Sequence, residues 1–250
     1  MRNSKMAHSR AKPSRRSETC GRRWLSRPGG DAERVREWQF ALPAVLVRAV
    51  LIAGFLYPLM AVFSGRKTYG REFLESLEGP VIFAANHLSV ADNPAVLLAL
   101  PWRWRLRLAT AASEEVMRGR GRVQSFFAAL ISNGFRISQT GHVRSSMAYC
   151  GKLTRTGWSL LFFPEGIRSD DGKLGAFKPG IGLLATSLGI PVVPVHLKGT
   201  DSVVAKGGSR PHRGYIEVRF GPPIRIPEDM RYDAATETIR DAVAALSEET

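Results

Sequence analysis

This chain is short of cysteine, and short of carboxylates relative to its basic residues. Asp and Glu together number 22 against 36 Lys and Arg, which gives a formal net charge of +14 and a pI near 10.5. That shortfall of acid points to an anionic partner, either nucleic acid or the anionic face of a membrane. Two cysteines, Cys20 and Cys150, are too few for a disulfide framework, and no Cys/His spacing suggests a metal site. No Gly-x-Ser-x-Gly occurs, so the tight elbow of a two-step serine hydrolase is missing. No apolar run follows the first basic residues until position 40, which argues against a secretory signal and for a reducing cytoplasm. A transit peptide shares the same Arg- and Ser-rich composition and stays open. There are no internal repeats.

The charge is concentrated at one end. Residues 1–36 hold eleven Lys and Arg against Glu18, Asp31 and Glu33, and are read as a basic flexible arm. Residues 37–65 form an apolar membrane-associated segment whose core, Phe40 to Phe63, is long enough to cross a bilayer. Pro43, Pro58 and the central Arg48 make a simple span uncomfortable. A segment lying in the interface, with Arg48 snorkelling to headgroups, fits better than a span or a buried core helix. The arm before it would rest on anionic lipid, each basic residue adding about 1 kcal/mol.

Residues 66–250 read as one α/β domain with a largely parallel central sheet flanked by helices, the apolar segment being its N-terminal membrane-associated helical part. Apolar runs at Val81–Ala85, Leu160–Phe163, Val192–Leu197 and Tyr215–Phe220 predict strands, as does Phe135–Ser138. The Trp/Arg alternation over Trp104–Ala109 predicts a further, half-exposed strand with a basic face. Helices are predicted over Asn93–Leu100, Glu114–Ile131, Val143–Leu153, Gly180–Leu188 and Asp233–Leu246.

In open α/β sheets, ligands bind where strands end. The loop after Val81–Ala85 reads Asn86-His87-Leu88-Ser89-Val90-Ala91-Asp92. A His with an Asp five residues on can form the pair a general base requires, the Asp fixing the tautomer while the other nitrogen takes a proton. Equally, Asp92 can cap the helix near Asn93 and His87 can be structural. The loop after Leu160–Phe163 reads Phe163-Pro164-Glu165-Gly166-Ile167-Arg168-Ser169. Gly166 permits close backbone approach, Arg168 offers a planar fork for phosphate, and Glu165 can accept bonds from substrate hydroxyls. A solvated turn with a surface ion pair is the plain alternative.

Taken together, His-x4-Asp after one strand and Phe-Pro-Glu-Gly-x-Arg-Ser after a later one resemble the lysophosphatidic acid (1-acylglycerol-3-phosphate) acyltransferase family of the glycerolipid acyltransferases. The likeness covers roughly residues 66–225. It includes Ala109–Met117, Phe177-Lys178-Pro179-Gly180 and Pro191-Val192-Val193-Pro194-Val195. It implies His87 and Asp92 as catalytic residues, with Glu165, Gly166, Arg168, Lys178 and Pro194 among the substrate-binding ones. One block departs. Family members commonly carry Ile-x-Arg where Gly134-Phe135-Arg136-Ile137-Ser138-Gln139 stands, so Gln139 occupies the position of a phosphate-binding arginine. An acceptor other than lysophosphatidic acid, such as an amino-acid-based lyso-lipid, therefore stays in play.

The implied reaction moves a fatty acyl group from acyl-CoA or acyl carrier protein to a lysophospholipid hydroxyl, with no acyl-enzyme, no metal and no cofactor beyond the acyl donor. Ser89, His142, His196 and His212 are assigned no catalytic part. The expected partners are membrane lipid and the acyl donor, and no nucleic acid. The expected location is the cytoplasmic face of a membrane, the bacterial inner membrane first. A nucleic-acid binder would not need the apolar segment, and an inactive scaffold would not need His87, Asp92, Glu165 and Arg168 together.

Overall fold

The computed structural model describes residues 37–113, 130, 133–137, 143–169, 172–205 and 210–248. The basic arm, most of the predicted helix Glu114–Ile131, His142 and Gln139 lie outside the described residues.

Seven strands form one sheet in the order β1-β7-β6-β2-β5-β3-β4. They are β1 (Ser64–Tyr69), β2 (Ile82–Ala85), β3 (Leu108–Ser113), β4 (Gly134–Ile137), β5 (Ser159–Phe162), β6 (Val192–Lys198) and β7 (Gly214–Phe220). β6, β2, β5, β3 and β4 run parallel, β7 is antiparallel to β6, and β1 is parallel to β7. All four residues of β2 are buried, as expected of a central strand covered on both faces. Phe83 and Ala85 enter one core layer, Ile82 and Ala84 the other. The first layer holds helix α1 (Leu42–Phe63) and α3 (Asp92–Ala99). The second holds α5 (Val143–Arg155), α6 (Gly180–Leu188) and α8 (Tyr232–Glu248). One-turn helices complete the set: α2 (Glu72–Glu75), α4 (Trp102–Arg105) and α7 (Thr200–Val203).

Helix α1 is docked along its length, not set apart from the domain. Ala44, Arg48, Ile52, Leu56 and Met60 are its buried residues, each four apart. A straight α-helix would turn such a series away from the sheet, because four residues overshoot one turn by about 40°. A π turn at Ile52–Leu56 corrects the drift, and there the Tyr57 N–H donates to the carbonyl of Ile52. The opposite face is apolar and open: Leu42 is 69 %, Val50 70 % and Val62 62 % exposed.

Two expectations need correction here. Arg48 does not snorkel outward; it is 1 % exposed. Its Nε donates to Leu130 O at 2.6 Å, and Nη2 donates to Gln39 O at 2.8 Å and Asn133 Oδ1 at 3.2 Å. Two of these acceptors come from 82 and 85 residues away and the third from just before the helix, a set that the apolar run itself does not reveal. The Trp/Arg run is likewise not a strand at its start. Pro101 ends the preceding helix, Trp102–Arg105 form one helical turn, and the strand begins only at Leu108. Trp104 packs edge-on against Phe83 in the core. Arg105 Nη2 donates to the carbonyls of Leu98 and Leu100 at the end of α3. The alternation thus reflects capping and core packing instead of a basic strand face. Strand β1 was not foreseen; its Ser-Gly-Arg-Lys-Thr-Tyr sequence lies at a sheet edge and needs no apolar run.

Candidate active site

The site lies at the C-terminal ends of β2 and β5. Strand β2 ends at Ala85, and Asn86 prolongs its pairing to β6 through its side chain. The Asn86 amide donates to Leu197 O at 2.9 Å and accepts the Leu197 N–H at 2.7 Å. This fixes where the next residue, His87, leaves the sheet. The loop then folds back so that His87 Nδ1 lies 2.7 Å from Asp92 Oδ2. The same Oδ2 accepts the backbone N–H groups of Leu88 at 2.7 Å and Ser89 at 2.9 Å. Asp92 Oδ1 accepts the hydroxyl of Thr200, at the start of α7. Asp92 is wholly buried, and its four donors fix its orientation. It is also the first residue of α3, whose N-cap is Ala91 with no side-chain capping bond, so of the two readings of Asp92 the pairing with His87 is the one observed.

With Nδ1 committed to Asp92, Nδ1 carries the ring proton in the neutral imidazole and Nε2 is the basic nitrogen. The His87 ring is partly exposed and stacks on Phe163 with centroids 4.4 Å apart. Ser89 is no nucleophile here: its buried Oγ donates to Val204 O at 2.5 Å and accepts the Ala91 N–H.

The second loop is tied to the first. Glu165 Oε1 accepts the His87 N–H at 2.9 Å and Oε2 accepts the Gly175 N–H at 3.0 Å, while Ser169 N–H donates to His87 O at 2.8 Å. Burial raises the Glu165 pKa above its ordinary value, opposed by those two backbone N–H groups. Glu165 therefore ties His87 to the second loop, each of its oxygens accepting one backbone N–H. Gly166 has φ +73, and a Cβ there would come within 2.5 Å of Lys178 Nζ, so the lysine side chain lies across it. Arg168 is half-buried on the same loop. Pro194 is placed elsewhere: it is buried in β6 opposite Ala84, and its carbonyl accepts the Gly221 N–H. It packs within the sheet. Thr200 and Asn86 are the site residues that sequence reasoning missed, since only the fold brings their partners, more than 100 residues away, into reach.

Beside Phe163 opens an apolar pocket of about 470 Å³ between α5 and α6. Met147, Cys150, Phe163, Ile181 and Leu184 line it, with Gly166 and Lys178 among the residues at its wall. An apolar slot next to a His–Asp pair suits a substrate with a long hydrocarbon part and one polar reacting end. Among the described residues, no group of three or more His, Cys, Asp or Glu side chains is placed to hold a metal.

A model of a protein family described as acyltransferase matches residues 65–198. A chloroplastic 1-acyl-sn-glycerol-3-phosphate acyltransferase of Brassica napus is 30 % identical over 196 residues, covering 77 % of this chain and 55 % of its own. One of the same description from Chlamydomonas reinhardtii is 30 % identical over 188 residues, covering 70 % and 52 %. The chain thus spans about half the length of these curated relatives. The crystal structure of the 1-acyl-sn-glycerophosphate (LPA) acyltransferase PlsC from Thermotoga maritima shares the fold, with a TM-score of 0.63, 24 % identity, and coverage of 88 % of this chain and 86 % of that one.

Proposed function

This chain belongs to the acyltransferase family, and we propose that it transfers a fatty acyl group from a thioester donor to a hydroxyl of a lysophospholipid, 1-acylglycerol-3-phosphate before others. The observation that carries this reading is the His87–Asp92 pair at 2.7 Å beside an apolar pocket. His87 Nε2 removes the proton of the acceptor hydroxyl, and Asp92 steadies the imidazolium that forms. The acceptor oxygen bonds to the thioester carbonyl carbon, the C–S bond breaks, and the proton on His87 passes to the departing thiolate. No acyl-enzyme is required. The hydrocarbon of the acyl group occupies the pocket beside Phe163, and Lys178 and Arg168 supply positive charge toward the acceptor phosphate.

The setting is a membrane surface. Helix α1 buries one face on the sheet from Ala44 to Met60 and leaves the other apolar and open, which suits lying in one leaflet better than crossing two. It runs from the start of β4, where Arg48 is held by Asn133, to the start of β1. The register of β7 against β6 puts Ser64 at the sheet edge where β2 ends in His87. A lipid leaving the bilayer along α1 therefore arrives at the reacting edge.

Acceptor identity is the finer point. Gln139 stands where a phosphate-binding arginine is common in the resembling family, which favours, as a second reading, an acceptor of lower charge. A panel of lyso-lipids, assayed with one long-chain acyl-CoA and with the matching acyl carrier protein, tests this by product mass. Acylation of 1-acylglycerol-3-phosphate at the highest kcat/KM supports the first reading. Preference for a lyso-lipid without a phosphate monoester supports the second, and no acylation of any member ends both.

A further inference from the structure

Away from His87, at the far end of α3, three arginines gather without an acid. Arg71 Nε donates to Ala99 O at 2.7 Å, and Arg105 Nη2 donates to Leu98 O at 2.7 Å and Leu100 O at 2.8 Å. Two guanidinium groups thus share the last carbonyls of one short helix, where a single cation would satisfy the dipole. Arg66 stands close by, stacked at 4.8 Å on the ring of Tyr57. Arg105 is only 8 % exposed, and burial first, then the charges of Arg71 and Arg66, lower its pKa. Among the described residues none of the three forms an ion pair with a carboxylate, and Arg105 Nε is buried without a hydrogen-bond partner. Gathering like charge in this way is unfavourable unless an anion joins it.

The surroundings say what kind of anion. Arg105 stacks at 4.5 Å on Trp102, which is 46 % exposed, and Tyr57 is 51 % exposed. Tyr57 belongs to α1, whose neighbouring Leu59 and Val62 are also exposed. Half-exposed Tyr and Trp beside arginines, at the border of an open apolar face, are the side chains that populate the level of lipid headgroups. We propose that Arg66, Arg71 and Arg105 form a site for a phosphate group presented by a membrane phospholipid, at the rim of the open face of α1. The site is separate from the acyl-transfer centre, because Asp92 and Ala99 lie at opposite ends of α3, about 10.5 Å apart along its axis. Its occupant is a bilayer lipid that anchors the enzyme and fixes its rotation on the leaflet. This inference rests on the reading of α1 as a membrane-lying helix.

The test uses the full chain and vesicles of phosphatidylcholine with or without phosphatidylglycerol. Arg66→Gln with Arg71→Gln should weaken binding to the anionic vesicles by ~30-fold, about five-fold for each arginine, with little change on neutral ones. A control pair, Arg107→Gln with Arg155→Gln, removes the same charge near the foot of α5 and should cost far less. Equal losses from both pairs would show that only net charge is sensed, and would overturn the site. If the double variant does not fold, Arg66→Gln alone carries the five-fold expectation, since among the described residues its guanidinium stacks on the Tyr57 ring and holds no carboxylate. Inorganic phosphate without vesicles separates the sources. A thermal midpoint raised by phosphate in the wild type but not in the variant would assign the site to a soluble ligand and overturn the lipid assignment. A wild-type chain that binds neither vesicle defeats the membrane reading itself, whereas a wild type that binds both while the variant is unchanged defeats only this site.

Discussion

Two buried polar knots hold this molecule together, and they are built in opposite ways. Under the reacting loop, Asp92 and Glu165 have each oxygen met by a donor, and the partly exposed His87 ring keeps its far nitrogen for chemistry. Under α1, Arg48 is a buried cation with no carboxylate among its hydrogen-bond partners. It is held by two backbone carbonyls and Asn133, and among the described residues its Nη1 has no hydrogen-bond partner. Burial alone lowers its pKa to about 10. The first knot spends fixed dipoles to orient one reactive atom, so its failure should appear in turnover. The second fastens α1 to the loop before β4, so its failure should appear in stability and leave the chemistry intact.

The largest effect that would sharpen this contrast is expected from Asp92→Asn. The amide oxygen can stay toward the His87 and backbone donors while the amide nitrogen turns to the Thr200 hydroxyl, which can accept instead. The fold should therefore hold, with a thermal midpoint close to wild type. His87 would nevertheless lose the anion that steadies its protonated form, and kcat should fall by on the order of 10²–10⁴. Unchanged kcat would dissolve the first knot's claimed purpose. Thr200→Val comes next. It removes the donor to Asp92 Oδ1 with almost no change in shape, and kcat should drop roughly ten- to a hundred-fold, the worth of a hydrogen bond to a charged group. KM should stay within about three-fold, and Thr200→Ser should restore the rate. Equal impairment in both variants would mean that the threonine methyl matters and the hydroxyl does not.

Arg48→Met attacks the other knot. It leaves Leu130 O, Gln39 O and Asn133 Oδ1 without their donor, but it also removes the desolvation of a buried charge. The net loss should be about 1–3 kcal/mol, or roughly 3–10 °C in thermal midpoint for a domain of this size. Turnover on soluble short-chain substrates should remain within two-fold. A folded Arg48→Met protein with intact stability and crippled turnover would reverse the comparison. The smallest effect is the pH dependence of Glu165. Burial raises its folded pKa, so the folded state binds more protons than the unfolded chain from about pH 4.5 upward. Stability owed to this group is thus greatest in acid and declines as pH rises through the folded value. The thermal midpoint of wild type relative to that of Glu165→Gln, whose amide does not titrate, should fall as pH rises from acid toward neutrality, and a relative rise would show the sign to be wrong.

What could be read before the fold was known follows the range of each interaction. The apolar run Val81–Ala85 ending in Asn86-His87, and the five-residue step to Asp92, are local, and strand, turn and His–Asp pair all emerged as read. The parallel sheet was legible in the same way, from short apolar runs alternating with helical periodicity. Glu165 was legible as a site residue but not in its role, because its donors belong to His87, 78 residues away, and to a turn at Gly175. Thr200 carried no signal at all; one hydroxyl at the head of a one-turn helix matters only because β6 ends beside α3. Arg48 was misread for a related reason. A lone arginine in an apolar run looks as though it must reach for water, and nothing nearby reveals the carbonyls of Leu130 and Gln39. The Trp/Arg run was misread because period-two alternation over a few residues cannot tell a strand from a single capping turn after a proline.

The account stands on His87 as the base in a direct, single-displacement transfer, and single-turnover kinetics of His87→Ala test that claim most directly. The variant, shown folded by an unchanged thermal midpoint, would be mixed with a long-chain acyl-CoA and 1-acylglycerol-3-phosphate, and both the product and the intact protein mass followed. Wild type is expected to form product with no acyl adduct on the protein at any time, and His87→Ala to be slower by on the order of 10²–10⁴. A folded His87→Ala enzyme working at near wild-type rate, or a wild-type protein caught carrying the acyl group, would contradict it.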